Sequence, residues 1–95
     1  MKQYGNALRR LSGTLYEGSE SLQRMPIVEL AGDCRVLIEN HKGVVEYGME
    51  KICVKVQYGF VCVCGLEMEL ARMTKDQLVI TGKIGSVTIQ RKGHI

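Results

Sequence analysis

Four cysteines and a histidine are the residues of this chain best suited to ligate a metal or attack a substrate: Cys34, Cys53, Cys62, Cys64 and His41. Cys62 and Cys64 are two residues apart, so on an extended segment both sulfurs point to one face. If Tyr58-Gly59 is a two-residue hairpin loop, Val56 faces Val61, Val54 faces Val63, Lys55 faces Cys62 and Cys53 faces Cys64, which gathers three thiols. A closed zinc site needs a fourth ligand, which His41 or Cys34 would have to bring from another strand. A Cys-x-Cys on a straight strand also converges less readily than a Cys-x-x-Cys turn. Without an export signal, free thiols of small, half-buried cysteines are the expectation. His41 could activate a cysteine for nucleophilic attack, but no pattern places it beside one or supplies an orienting carboxylate, so it reads as a turn residue. Glu67 and Glu69 could pass for paired carboxylates, yet they alternate with Leu66, Met68 and Leu70 and read as a solvated strand face. His94 is terminal and carries no signal.

The elements that would hold these residues are strands. Pro26 opens the ordered part, since proline is tolerated at the first residue of a strand or on an edge. Ile27 to Ala31 follows, with Val28 and Leu30 opposite Glu29; then come a Gly32-Asp33 turn and Cys34 to Glu39, with Val36 and Ile38 facing one way. Asn40 to Gly43 is a polar reversal before Val44 to Tyr47, because asparagine tolerates a left-handed backbone and glycine adopts it without steric cost. Ile52 to Gln57 alternates strictly, with Ile52, Val54 and Val56 on one face. Phe60 to Cys64, Leu66 to Ala71, Gln77 to Thr81 and Ser86 to Gln90 complete the set, with a turn at Thr74-Lys75-Asp76. Gly32 and Gly65, and Gly48 and Gly82, recur at nearly equal separation, which would suit a repeated strand-turn-strand unit. Leu8, Leu11 and Leu15 fall at helical spacing but Gly13 and Gly18 interrupt them. The expectation is therefore an all-β fold of about seven or eight short antiparallel strands, a small sandwich or roll over residues 25–95, behind a loose or partly helical arm of residues 1–24.

Composition bounds the function. Hydrophobic residues at 45% and charged residues at 24% are ordinary for a globular domain and argue against disorder. A net charge of +3 with scattered basic residues offers no stripe for nucleic acid. No apolar run is long enough for a membrane span. A core this small leaves room for stabilisation by a partner or by self-association. The last strand, Ser86 to Gln90, alternates, is uncharged until Arg91 and lacks proline, so it is the candidate pairing edge.

One block is distinctive: Ile38-Glu39-Asn40-His41-Lys42-Gly43-Val44-Val45-Glu46-Tyr47. With Pro26, Val28, Leu30 and Gly32 before it, and the Ile52 to Val56 strand, Gly59, Gly65, Leu78 to Ile84 and Val87 after it, the chain resembles the YabP/YqfC family of sporulation proteins, closest to its YqfC branch. Glu39, Asn40, His41, Gly43, Glu46 and Tyr47 carry the signature. The resemblance implies a protein of endospore-forming bacteria, made in the mother cell and cytoplasmic, with no assigned catalytic residue and no cofactor. Cys53, Cys62 and Cys64 depart from what that family leads one to expect. The leading expectation is a non-enzymatic sporulation protein that associates with itself or with other sporulation proteins and takes no small-molecule substrate. The alternatives are a metal-binding module using Cys53, Cys62 and Cys64, and a nucleic-acid-binding β-barrel.

Overall fold

The structure, a computed structural model, describes residues 24–92. The expected arm of residues 1–24 lies outside this span but for Arg24. The described residues form one six-stranded antiparallel sheet with the order β1-β2-β6-β5-β4-β3. Its strands are β1 (Ile27–Ala31), β2 (Arg35–Glu39), β3 (Val44–Tyr47), β4 (Lys51–Val56), β5 (Gly59–Met73) and β6 (Gln77–Arg91). The all-β antiparallel class is as the alternation predicts. The strand count is lower because two pairs of expected short strands are single 15-residue strands, β5 and β6.

These two long strands serve two half-sheets. The first half of β6 pairs with β2 (Val36 with Ile80, Ile38 with Leu78) and with the end of β5. Its second half pairs with the start of β5, which in turn pairs with β4 (Val54 with Val61, Ile52 with Val63). Between the halves the ladder slips at Cys64–Gly65 and again at Leu66–Glu69. Such bulges bend a strand and sharpen its twist. The bend folds the sheet on itself: Val36, Ile38, Leu78 and Ile80 from one half form a single buried cluster with Ile52, Val54, Val56, Val61 and Val63 from the other, and Met68 joins them.

The bulge also changes which residues face inward. Val61 and Val63 are buried ahead of it, whereas beyond it Met68 is 2% exposed and Leu66 is 55% exposed. Leu66 therefore leaves the face that simple alternation gives it, because Glu67 takes a positive φ of 52° and resets the side-chain phase. Close approach at the bend requires glycine. A Cβ on Gly65 would lie 2.1 Å from the Lys83 carbonyl oxygen, and one on Gly82, at φ 143°, would lie 2.8 Å from the Glu67 carbonyl oxygen.

Two pairings differ from expectation. The β4–β5 loop is Gln57-Tyr58, with Val56 opposite Gly59, so the register moves by two and Cys53 faces Cys62 instead of Cys64. The same side chains still share each face, because a slip of two preserves the pleat phase. The Asn40 to Gly43 turn is a crossover and not a hairpin reversal, since β2 pairs with β1 and β6 while β3 pairs with β4.

The described strands are related by a pseudo-two-fold about the β5–β6 pair, which matches Gly65 with Gly82 and Gly32 with Gly48, and not the glycine pairs of nearly equal sequence separation. The β1–β2 turn docks on β6, with the Gly82 N–H donating to the Cys34 carbonyl (3.2 Å) and the Ile84 N–H to that of Asp33 (2.7 Å). The β3–β4 turn docks likewise on β5, with the Gly65 N–H donating to the Glu50 carbonyl (3.1 Å) and the Met68 N–H to that of Met49 (2.9 Å). The equivalent units are thus β1–β2 with β6, which is split in sequence, and β3–β4 with β5, which is continuous.

Val54, with no exposed surface, tests the core. Val54→Asp buries an unpaired carboxylate and is expected to cost more than ~3 kcal/mol in chemical denaturation. Gly65→Ala is expected to cost about 2 kcal/mol or more through backbone overlap, and Gly85→Ala clearly less, because the nearest atom to its Cβ is 3.3 Å away.

Candidate functional site

The signature turn sits where the chain leaves one half-sheet for the other. Glu39 ends β2, and Asn40 takes a left-handed conformation at φ 64°, which turns the chain out of the ladder. The Asn40 backbone N–H donates to the Asp76 carbonyl (2.7 Å) and its side-chain Nδ2 donates to the Met25 carbonyl (2.8 Å). One residue thereby holds both the β5–β6 turn and the segment entering β1. The Gln77 Nε2 amide donates to Glu39 Oε2 (3.0 Å), adding a side-chain tie to the same turn.

His41 is 9% exposed and is the buried polar residue of the described fold. Its Nδ1 accepts from the Gly43 backbone N–H (3.0 Å), and its Nε2 lies 2.9 Å from the Thr74 carbonyl oxygen. An acceptor at Nδ1 and a carbonyl at Nε2 assign the proton to Nε2, the neutral tautomer. Both ring nitrogens are thereby occupied by backbone groups. The next residues complete the crossover: the Lys42 N–H donates to the Lys55 carbonyl (2.7 Å) and the Lys55 N–H donates to the Gly43 carbonyl (2.8 Å), which docks the turn on β4. No buried side-chain nitrogen or oxygen among the described residues lacks a partner.

Glu46 and Tyr47 stand apart on β3. Glu46 pairs with Lys51 at 3.7 Å with both side chains about half exposed, an ion pair of little energetic weight. Tyr47 is 59% exposed. The six signature residues thus divide: Glu39, Asn40, His41 and Gly43 build the crossover, while Glu46 and Tyr47 lie on the exposed surface of β3.

The cysteines do not gather as a ligand set. Cys53 and Cys62 are directly opposed on β4 and β5, with Cα atoms 4.1 Å apart, and form a disulfide. This corrects the expectation of four free thiols, and its origin is the register of the hairpin. Cys34 and Cys64 are free. Among the described residues no group of three His, Cys, Asp or Glu side chains is arranged to hold a metal ion. With Cys53 and Cys62 joined to each other, the metal-binding reading of Cys53, Cys62 and Cys64 as three free thiols is set aside. Glu67 and Glu69 are exposed, and Glu67 pairs at 3.4 Å with an equally exposed Lys83. Sequence reasoning missed the Cys53–Cys62 pair and the backbone partners of His41. The first was within reach had Gly59 been taken as the start of β5; the second depends on Thr74, 33 residues away, and has no local signal.

The sheet edges supply the remaining surface. The edge strand β1 has five residues, with Pro26 at its entry and Glu29 at its centre, and β3 has four with a register shift. The last part of β5 carries a shift at Leu70–Arg72 beside the charges of Glu69 and Arg72. The last part of β6 carries no such feature: from Arg91 opposite Gly59 to Ser86 opposite Cys64 its register is unbroken. Among the described residues no strand pairs with its other side. Ile89 there is 56% exposed.

Two outcomes test this description. His41→Ala leaves the Gly43 N–H and the Thr74 carbonyl without their buried partner and is expected to cost about 2–4 kcal/mol by urea titration. A loss below about 0.5 kcal/mol would show that the crossover does not depend on the imidazole. Denatured, unreduced protein should titrate two thiols per chain, from Cys34 and Cys64. After reduction it should titrate all four.

No curated protein and no solved structure matches the chain. Among the described residues no helix is long and apolar enough to cross a membrane. A family model does match, that of the YabP family, over residues 23–94. That span takes in all six strands, the histidine crossover and the unblunted edge of β6, and on that breadth the chain belongs to the YabP family.

Proposed function

We propose that this chain is a non-enzymatic sporulation protein of the YqfC branch, made in the mother cell of an endospore-forming bacterium, which works by associating with other protein chains through a sheet edge. Membership of the YabP family supports the setting. The observation that carries the mode of action is the unbroken, uncharged edge of β6 from Ser86 to Gln90, in a fold whose other edges are each shortened, bulged or charged. Proteins that remain alone blunt such edges, because a row of free N–H and C=O groups templates pairing with another strand.

The signature turn supports the same reading from the other side. A histidine acting as a base or a ligand needs a ring nitrogen open to its substrate, whereas both nitrogens of His41 are spent on backbone groups. Glu39, Asn40, His41 and Gly43 then serve the scaffold, and the β domain of residues 25–95 is the working part.

Ile89→Lys places a charge on the exposed edge without touching the buried cluster. In sporulating host cells the tagged parent chain is expected to be recovered with sporulation proteins or further copies of itself. The Ile89→Lys chain, at equal abundance and melting temperature, should lose them and lower the yield of spores. Equal recovery and equal spore yield for the two chains would overturn the reading.

A further inference from the structure

The free edge of β6 is self-complementary, and we propose that it pairs antiparallel with the same edge of a second copy of this chain, about a two-fold axis at Thr88. The inference rests on the reading that the chain acts by association through this edge, and it commits that reading to one partner.

The phase of the backbone restricts the register to two-fold axes centred on a residue. The Lys92 N–H donates to the Tyr58 carbonyl (2.7 Å), and the Gln90 carbonyl oxygen also points at β5, since it lies 2.0 Å from the Cβ position of Gly59. Peptide groups alternate in direction along a strand, so Thr88, Gln90 and Lys92 bond inward to β5. Val87, Ile89 and Arg91 turn their N–H and C=O groups outward. An antiparallel partner satisfies them only where outward residues oppose outward residues. A two-fold at Thr88 does this: Val87 opposes Ile89 of the second copy and Ile89 opposes its Val87.

The side chains agree with that register. Val87 and Ile89 oppose Val63 and Val61 and share the inner face, so the cross-copy Val87–Ile89 pairs extend the apolar layer and cover Ile89, otherwise 56% exposed. On the outer face Thr88 meets Thr88, and Ser86 meets Gln90; all are exposed and uncharged. Arg91 opposes Gly85 of the second copy, where the absent side chain leaves room, while within its own chain the guanidinium lies 5.7 Å over the Tyr58 ring. No like charges face each other over Ser86 to Gln90, and the product is one continuous sheet of the two second halves.

Paired charge variants at exposed positions read this register without disturbing the core. Ser86→Lys/Gln90→Lys puts two like-charge pairs across the axis, whereas Ser86→Glu/Gln90→Lys puts two opposite-charge pairs there. Light scattering across a concentration series of the full chain is expected to give a parent mass that rises from one chain to two and stops. The dissociation constant of the Lys/Lys variant should exceed that of the Glu/Lys variant by about tenfold or more. Ile89→Lys should stay at one chain throughout. A parent that remains a single chain at every concentration overturns the proposal, as does a dimer that the two double variants affect equally. If the parent is a single chain and yet Ile89→Lys still loses its partners in cells, the edge serves a strand from a different protein: this inference falls and the proposed function stands.

Discussion

The bend shared by β5 and β6 is the constraint on which the rest depends. A single sheet buries nothing by itself; it must cover one face with another layer, and among the described residues there is no helix to provide it. Folding the sheet across Gly65–Met68 and Gly82–Gly85 makes the two halves each other's cover, and ten buried residues from both halves form one cluster. Gly65 and Gly82 are then fixed by sterics, because the backbones at the bend approach closer than any Cβ permits. Met68 fills the space the bend creates, and Leu66 is the residue displaced to the surface.

A folded sheet needs its halves locked, and the crossover from Glu39 to Gly43 supplies the lock. The chain leaves the first half at Glu39 and enters the second at Val44, and over that short distance its backbone groups have no ladder to join. Asn40 and His41 answer this with side-chain and backbone bonds to Met25, Thr74 and Asp76, while Lys42 and Gly43 bond to Lys55. Three separate stretches thus converge on one turn. Leaving such buried groups unpaired would cost more than each bond contributes to net stability. That asymmetry makes each polar residue of this turn costly to replace.

Alternation made most of the architecture legible, because a half-buried strand must present apolar residues at every second position. Val28 and Leu30, Val36 and Ile38, Ile52 to Val56, and Val61 and Val63 all lie on the faces that pattern assigns. It could not join short strands into long ones. The apolar phase is odd at Val61 and Val63 and even at Met68 and Leu70, and in a sequence such a phase change looks like the end of one strand and the start of another. Only the bulge, with Glu67 at positive φ, shows it to be one strand that bends. The β4–β5 loop misled by a different route. A slip of two residues leaves every face intact, so the valine pattern is blind to it, yet it decides whether Cys53 meets Cys62 or Cys64. The candidate site was legible as a motif and illegible as a mechanism, since the partners of His41 are main-chain carbonyl and amide groups that side-chain patterns do not encode.

The pseudo-two-fold makes the end of β5 and the end of β6 equivalent edges, and the sequence treats them differently. At the end of β5 the register slips between Leu70 and Arg72, with Glu69 and Arg72 beside it; at the end of β6 the ladder runs unbroken through uncharged residues. Had both edges been left regular, either could pair with the other on a new copy, and a head-to-tail contact of that kind need not close. Blunting one edge removes the open chain. Paired as proposed, a single edge that is complementary to itself is used up about one two-fold axis, which would close the assembly at two copies. On that proposal the bulge and charges at the end of β5 do as much to define the assembly as the plain strand at the end of β6.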